Sequence, residues 1–168
     1  GQGDTDQATV SIEVVPVNTL MACAQAARTQ LGSSTPMVIS ACMDARMSEI
    51  YTATYAFSGP DGNTTLPQQL VEPALVKPVD VLATNARAQH WCGNALAVYG
   101  AELGEHAQQV SWCPALPTAS AMLTLVPALI ASGAAVPAAM ARPLYVRDKV
   151  ALTTAQRMQA KAEQAATQ

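Results

Sequence analysis

The chain has 168 residues, enough for one domain or two very small ones, and half of its residues are apolar while only 12% are charged. That composition excludes a disordered chain, because such a sequence buries enough surface to offset its ordering entropy, and 9 glycines with 11 prolines exclude collagen-like and low-complexity classes. A net charge of −3 argues against tight autonomous binding to nucleic acid, whose affinity comes largely from Lys and Arg on phosphates.

The charge is unevenly placed. Asp4, Asp6 and Glu13 make residues 1–13 acidic, whereas Arg142, Arg147, Lys149, Arg157 and Lys161 make residues 142–168 basic. A basic end of this kind reads first as a solvated helix face and second as a contact for an acidic partner or RNA. Residues 1–13 show neither the positive n-region nor the apolar h-region of a signal peptide. From Ala107 to Ala141 there is no Asp, Glu, Lys or Arg, but Pro114, Pro117, Pro127 and Pro137 break the stretch, so it does not read as a membrane span.

Gly1–Ala8 reads as a loose terminus and Val10–Val17 as a strand. Asn18 stands where an N-cap belongs, and Leu20, Ala24, Ala27 and Leu31 recur at helical spacing up to Gly32, a C′ residue. Met37–Met43 is an apolar run of strand length. Glu49–Phe57 alternates with period two, placing Ile50, Thr52, Thr54 and Ala56 on one face and Tyr51, Ala53, Tyr55 and Phe57 on the other. The two runs predict antiparallel strands joined at Asp44-Ala45-Arg46. Leu70–Val76 reads as a strand, and Pro78 opens a short helix from Val79 to about Ala88. His90–Gly93 reads as a short strand, followed by a helix from Asn94, its cap, to Leu103. Gln109–Cys113 reads as another short strand. Thr118 or Ser120 caps a helix that buries Met122, Leu125, Val126 and Leu129 and that Pro127 kinks or divides. Pro143–Val150 reads as a last short strand before an Ala- and Gln-rich tail. Strands alternating with helices predict an α/β fold with a mixed sheet and packed helices.

Few segments carry chemistry. Cys23, Cys42, Cys92 and Cys113 form no CxxC pair and read as buried thiols. A catalytic thiol at Cys23 or Cys42 needs a base that the sequence does not supply. His90, Cys92, His106 and Cys113 are legal zinc ligands, but their spacing suits neither a ribbon nor a finger, and no metal site is assigned. Asp44, Arg46 and Glu49 cluster at the strand turn, where an Asp–Arg pair fixing the turn and a ligand or partner contact are the two readings. In Arg142-Pro143-Leu144-Tyr145-Val146-Arg147, Tyr145 can pack its ring while Arg147 reaches a carboxylate or phosphate.

These segments carry a resemblance. Val15-Pro16-Val17-Asn18-Thr19-Leu20-Met21, then Met43-Asp44-Ala45-Arg46-Met47-Ser48-Glu49-Ile50-Tyr51, then Pro143-Leu144-Tyr145-Val146-Arg147 resemble the TsaB (YeaZ) family, which shows Ser-Thr-Leu at the helix start, an Asp-Ala-Arg-x-Gly-Glu-Val-Tyr turn and a late Pro-x-Tyr-Leu-Arg. Cys92-Gly93-Asn94 resembles the family's Gly-Asn-Gly strand end. Asn18 stands in place of the serine and Ser48 in place of the glycine. The Ile-Asp-Thr strand and Gly-Pro-Gly-Ser-Phe-Thr-Gly loop of the family's first lobe are absent.

The resemblance implies the C-terminal lobe of an actin-like ATPase superfamily (ASKHA, ribonuclease H-like) protein at 14–152, with a polar segment or linker at 1–13 and a helical or disordered tail at 153–168. It implies a non-catalytic scaffold of the TsaD-type enzyme in tRNA threonylcarbamoyladenosine modification. Asp44, Arg46, Glu49, Tyr145 and Arg147 would then contact the partner or the interlobe cleft. It further implies a TsaE-like ATPase as second partner, tRNA met indirectly, ATP and metal on the partners with no cofactor on this lobe, and a cytoplasmic location. An unpaired lobe face would also allow a homodimer. Rival readings are a metal-dependent glycoprotease-like (peptidase-like) enzyme, though the His-x-x-x-His of the TsaD branch is absent, a nucleotide-binding module, and a basic-tailed RNA binder.

Overall fold

The computed structural model describes residues 12–32, 34–59, 65–104, 107 and 110–147. Its centre is the antiparallel pair β2 (Met37–Asp44) and β3 (Ile50–Phe57), in register from Met37 opposite Phe57 to Asp44 opposite Ile50. β4 (Gln68–Val76) adds antiparallel to β3, while β5 (His90–Cys92) and β6 (Ser111–Cys113) add in parallel on the other side of β2. The sheet order is β4-β3-β2-β5-β6. A separate two-stranded ribbon joins β1 (Glu13–Val14) to β7 (Val136–Pro137).

The period-two pattern of β3 decides which helix lies on which face. Ala53, Tyr55 and Phe57 join Ile39, Ala41 and Cys92 beneath α1 (Thr19–Leu31), with Cys23, Ala24 and Ala27 packed onto them. Ala121 of α4 (Ala119–Ala131) reaches the same cluster, and Leu125 and Leu129 pack against Ala22 of α1. The opposite face carries Ile50, Cys42 and Trp91 under the short α2 (Val81–Thr84) and α3 (Ala95–Leu103), which contribute Val81, Ala95, Tyr99 and Leu103. The mixed α/β architecture read from the sequence is thus the observed one, with helices on both faces.

Caps and local competition explain the element ends. Asn18 Oδ1 accepts from the backbone N–H of Leu20 at 2.8 Å and Met21 at 3.3 Å, and Gly32 closes α1 at φ +62°. Thr118, rather than Ser120, caps α4. Pro127 does not divide α4. The carbonyl it deprives of a donor belongs to Leu123, which is 69% exposed, so that carbonyl lies on the wet side of the helix.

α2 stops at Thr84, short of the expected Ala88. Asn85 donates its side-chain amide to the Val81 carbonyl at 2.8 Å and to Thr52 Oγ1 at 2.9 Å, and accepts from Thr54 Oγ1 at 2.7 Å. A side chain that bonds a carbonyl of the preceding turn and the sheet together ends a helix.

Two strand expectations are corrected. Within Val10–Val17 only Glu13–Val14 pairs; residues 10 and 11 lie outside the described residues, and Pro16 and Pro137 each lack the N–H that a longer ladder requires. Within Pro143–Val150 no strand forms over the described 143–147, which are held by side-chain contacts described below. The tail assigned to 153–168 lies outside the described residues. Among those described, no helix is long and apolar enough to cross a membrane.

Gly93 has φ +104°, and a Cβ there would overlap the Cys42 carbonyl. Gly32 also has positive φ but open space around its Cα. Gly93→Ala is therefore expected to cost about 3–5 kcal/mol, against about 1 kcal/mol for Gly32→Ala, where only the backbone conformation resists. Urea denaturation of both variants checks this, and equal losses would show that the close approach at Cys42 does not exist.

Candidate functional site

The end of β2 gathers four of the five singled-out residues. The five-residue loop Ala45–Glu49 is closed by backbone bonds from Ala45 N–H to the Glu49 carbonyl at 2.9 Å and from Glu49 N–H to the Arg46 carbonyl at 3.1 Å. Arg46, Met47 and Ser48 all lie in the left-handed region, with φ of 64°, 56° and 56°. Three consecutive non-glycine residues in that region store strain, which persists only where the surroundings over-determine the loop.

Asp44 supplies one set of anchors. Its Oδ1 accepts from Tyr99 Oη at 2.6 Å and from the Arg46 backbone N–H at 2.8 Å, while its Oδ2 lies 3.1 Å from the Arg46 guanidinium. Its own backbone N–H donates to Asn94 Oδ1 at 2.8 Å. Asn94 therefore serves the strand end and makes no side-chain cap bond to α3, contrary to the expectation that it caps that helix. Tyr99 interrupts the helical backbone of α3, at φ −119° and ψ 21°.

Arg147 supplies the second set. Its Nη2 donates to Glu49 Oε2 at 2.7 Å, to the Ala45 carbonyl at 2.9 Å and to the Arg46 carbonyl at 3.4 Å, and Nη1 lies 3.0 Å from Met47 Sδ. The guanidinium satisfies the outward carbonyls of the strained loop and pairs with its carboxylate. Its Nε is buried and unpartnered. Tyr145 takes no part in this network. It is 80% exposed, next to the exposed Leu144 and near the end of the pinned segment.

The phenol of Tyr99, the Arg46 amide and the Arg46 guanidinium hold the Asp44 carboxyl below its usual range, and the same bond raises the Tyr99 phenol. The thiols read as buried are buried. Burial pushes Cys42 up to about 12, and Cys92, 3.6 Å from Cys23 through sulfur, is also raised. A thiol so shifted stays protonated at neutral pH and is no nucleophile. His90 Nδ1 lies 3.1 Å from Ser111 Oγ, and Cys113 Sγ donates to Gln30 Oε1 at 3.2 Å. Among the described residues no three His, Cys, Asp or Glu side chains converge as metal ligands would. His106 lies outside those residues.

The five-stranded mixed sheet has helices on both faces, as the expected actin-like ATPase lobe does. The family model for TsaD, tRNA N6-adenosine threonylcarbamoyltransferase, matches residues 7–155, and the chain belongs to that family. Its fold is that of YeaZ from Pseudomonas aeruginosa, with a TM-score of 0.61 at 24% identity over 79% of this chain and 60% of that one. A second solved structure, described as an uncharacterized protein with similarity to peptidase YEAZ from Pseudomonas aeruginosa, matches with a TM-score of 0.59 at 26% identity over 78% of this chain and 57% of that one. The chain is TsaB/YeaZ-like and spans less than two thirds of either relative. No curated protein matches it.

Two predictions follow from the loop. Ser48→Gly removes a side chain from a left-handed position and is expected to stabilise by about 1 kcal/mol, readable in denaturant midpoints; a destabilised variant would mean that residue 48 is not held at positive φ. Tyr99→Phe removes the main cause of the depressed Asp44 value. Because the folded value lies below the unfolded value of about 3.9, the stabilisation is present above that pH and is lost as pH falls through the folded value. The stability difference between wild type and Tyr99→Phe should therefore be largest near neutrality and shrink in acid, while carbon NMR shows the Asp44 carboxyl titrating higher in the variant. A difference that does not change with pH would refute the coupling.

Proposed function

We propose that the chain acts in the tRNA threonylcarbamoyladenosine system as a non-catalytic partner of a TsaD-type enzyme, with the loop 45–49 and the segment pinned by Arg147 forming its contact surface. The observation that carries the reading is the joint match: a family model named for threonylcarbamoyl transfer to tRNA, on a chain with the YeaZ fold. The site itself favours contact over chemistry. Asp44 is engaged by Tyr99 and Arg46, and Glu49 by Arg147, while Met47, Leu144 and Tyr145 stand exposed beside them. A tyrosine flanked by apolar and arginine side chains has the composition of an interface anchor. On this reading ATP and metal reside on the partners, including a TsaE-type ATPase, tRNA is met through the complex, and the protein works in the cytoplasm.

The family description names a transferase, so a second reading makes this lobe part of the catalytic protein. Nucleoside mass spectrometry of bulk tRNA after depletion of the gene tests the shared pathway: loss of threonylcarbamoyladenosine, restored by the intact gene, is the expected result, and an unchanged level argues against both readings. Affinity capture with the full natural chain separates them, since only the scaffold reading requires a separate TsaD-type protein to be held. Tyr145→Ala should leave stability within about 0.5 kcal/mol, because the ring is exposed, while weakening capture by about tenfold or more, as for an interface anchor. Undiminished capture would remove Tyr145 from the contact surface.

A further inference from the structure

Met47 stands at the middle of the strained loop 45–49 and is 71% exposed. Of the other methionines, Met37 is buried, Met21, Met43 and Met122 are half-buried, and Met140 is 66% exposed. Met158 lies outside the described residues. Oxidation of a thioether requires that an oxidant reach a sulfur lone pair, so Met47 and Met140 are the open sites among the methionines described. The two differ in what their sulfur meets.

The Met47 sulfur accepts from Arg147 Nη1 at 3.0 Å, while Nη2 of the same guanidinium holds Glu49 and the Ala45 and Arg46 carbonyls. A thioether is a weak acceptor, so the Nη1 arm is poorly satisfied, and the neighbouring Nε is buried with no acceptor at all. Among the described residues no donor meets the Met140 sulfur. A sulfoxide is polar where the thioether is not, and its oxygen carries partial negative charge. Opposite a guanidinium it makes a charge-assisted hydrogen bond, roughly twice as strong as a neutral one. The exposed Met47 side chain has solvent around it into which it withdraws to make room for the added oxygen.

We propose that Met47 is a site of reversible oxidation by peroxide, and that its sulfoxide oxygen takes the Arg147 guanidinium so that the oxidised loop holds the segment 141–147 more firmly. In the step itself a Met47 sulfur lone pair attacks one oxygen of hydrogen peroxide. The S–O bond forms as the O–O bond breaks, sulfur gives up two electrons, and the departing hydroxide takes the proton of the transferred oxygen and leaves as water. Methionine sulfoxide reductases reverse the change. The proposal does not depend on the function proposed above.

The full 168-residue chain is treated with hydrogen peroxide and followed by peptide mass spectrometry. Met47 should convert well before Met21, Met43 and Met122, and the reductases should restore it. Chymotrypsin then reads the segment, since native-state cleavage after the exposed Tyr145 tracks the population in which 141–147 is released. That cleavage should slow about fivefold on oxidation, the scale of one such bond. Met47→Leu should lose the effect of peroxide although Met140 and Met158 still oxidise. Met47→Gln, whose amide oxygen stands in for that of the sulfoxide, should slow cleavage with no peroxide present. Met47 left unmodified, cleavage unchanged or faster once it has converted, or an equal slowing in Met47→Leu overturns the proposal.

Discussion

The close approach of Gly93 to the Cys42 carbonyl is the constraint on which the site is built. It sets the end of β5 directly against the end of β2, at a distance that no side chain permits. From there Asn94 reaches the Asp44 amide, and α3 departs at an angle that brings the Tyr99 hydroxyl to the Asp44 carboxylate. The carboxylate, fixed from one side by α3, then fixes the second residue of the loop from the other through the Arg46 amide. One residue without a Cβ thus transmits the sheet geometry into a surface loop. The loop holds three left-handed residues because its start and end are both tied down.

Polar groups are scarce in this chain, and the buried ones are used at junctions. Asn85 joins α2 to β3 through Thr52 and Thr54, and Thr54 in turn reaches Ser40 on β2. Arg28 lies over the Phe57 ring and donates to the Ser58 and Gly59 carbonyls, tying α1 to the end of β3. Arg147 does the same for the last described segment. In each case one side chain satisfies backbone carbonyls or hydroxyls that burial would otherwise leave unpaired, and so a core made largely of Ala, with Leu and Cys, acquires a defined arrangement.

Much of this was legible from local pattern. Asn18 and Gly32 bound α1 by cap chemistry alone, and the alternation of Ile50–Phe57 assigns each side chain to the face it occupies. What was not legible required knowledge of a distant partner. Asn94 has the right type and position for a cap, but its acceptor goes to a strand end 50 residues earlier in sequence. Asn85 ends α2 with bonds to β3 that no local pattern reveals. Pro143–Val146 has the β-branched and aromatic composition of a strand, yet no neighbouring strand offers it a ladder over the described residues. Within the site, the Asp44–Arg46 pair was readable from spacing, the Arg147–Glu49 pair only as a carboxylate that Arg147 reaches, and Tyr99 not at all. The family resemblance grouped Arg147 with the turn residues, without the bonds to Glu49 and the Ala45 carbonyl by which it holds them.

The pin at Arg147 also bears on how such a surface behaves. Ordering a residue of backbone costs about 1–2 kcal/mol, and a hydrogen bond involving a charged group returns about 1.5–3 kcal/mol. The described chain from Ala141 to Arg147 has no ladder, and only Val146 and Arg147 are partly buried. Its order therefore rests mainly on the one guanidinium and on the turn Ala138–Met140 that precedes it. A segment held by so few contacts lies close to the balance between ordered and released. By linkage, any contact that a partner makes with Tyr145 in the ordered form tightens the bonds of Arg147 to Glu49 and Ala45 by the same free energy, and loss of those bonds weakens the partner in equal measure.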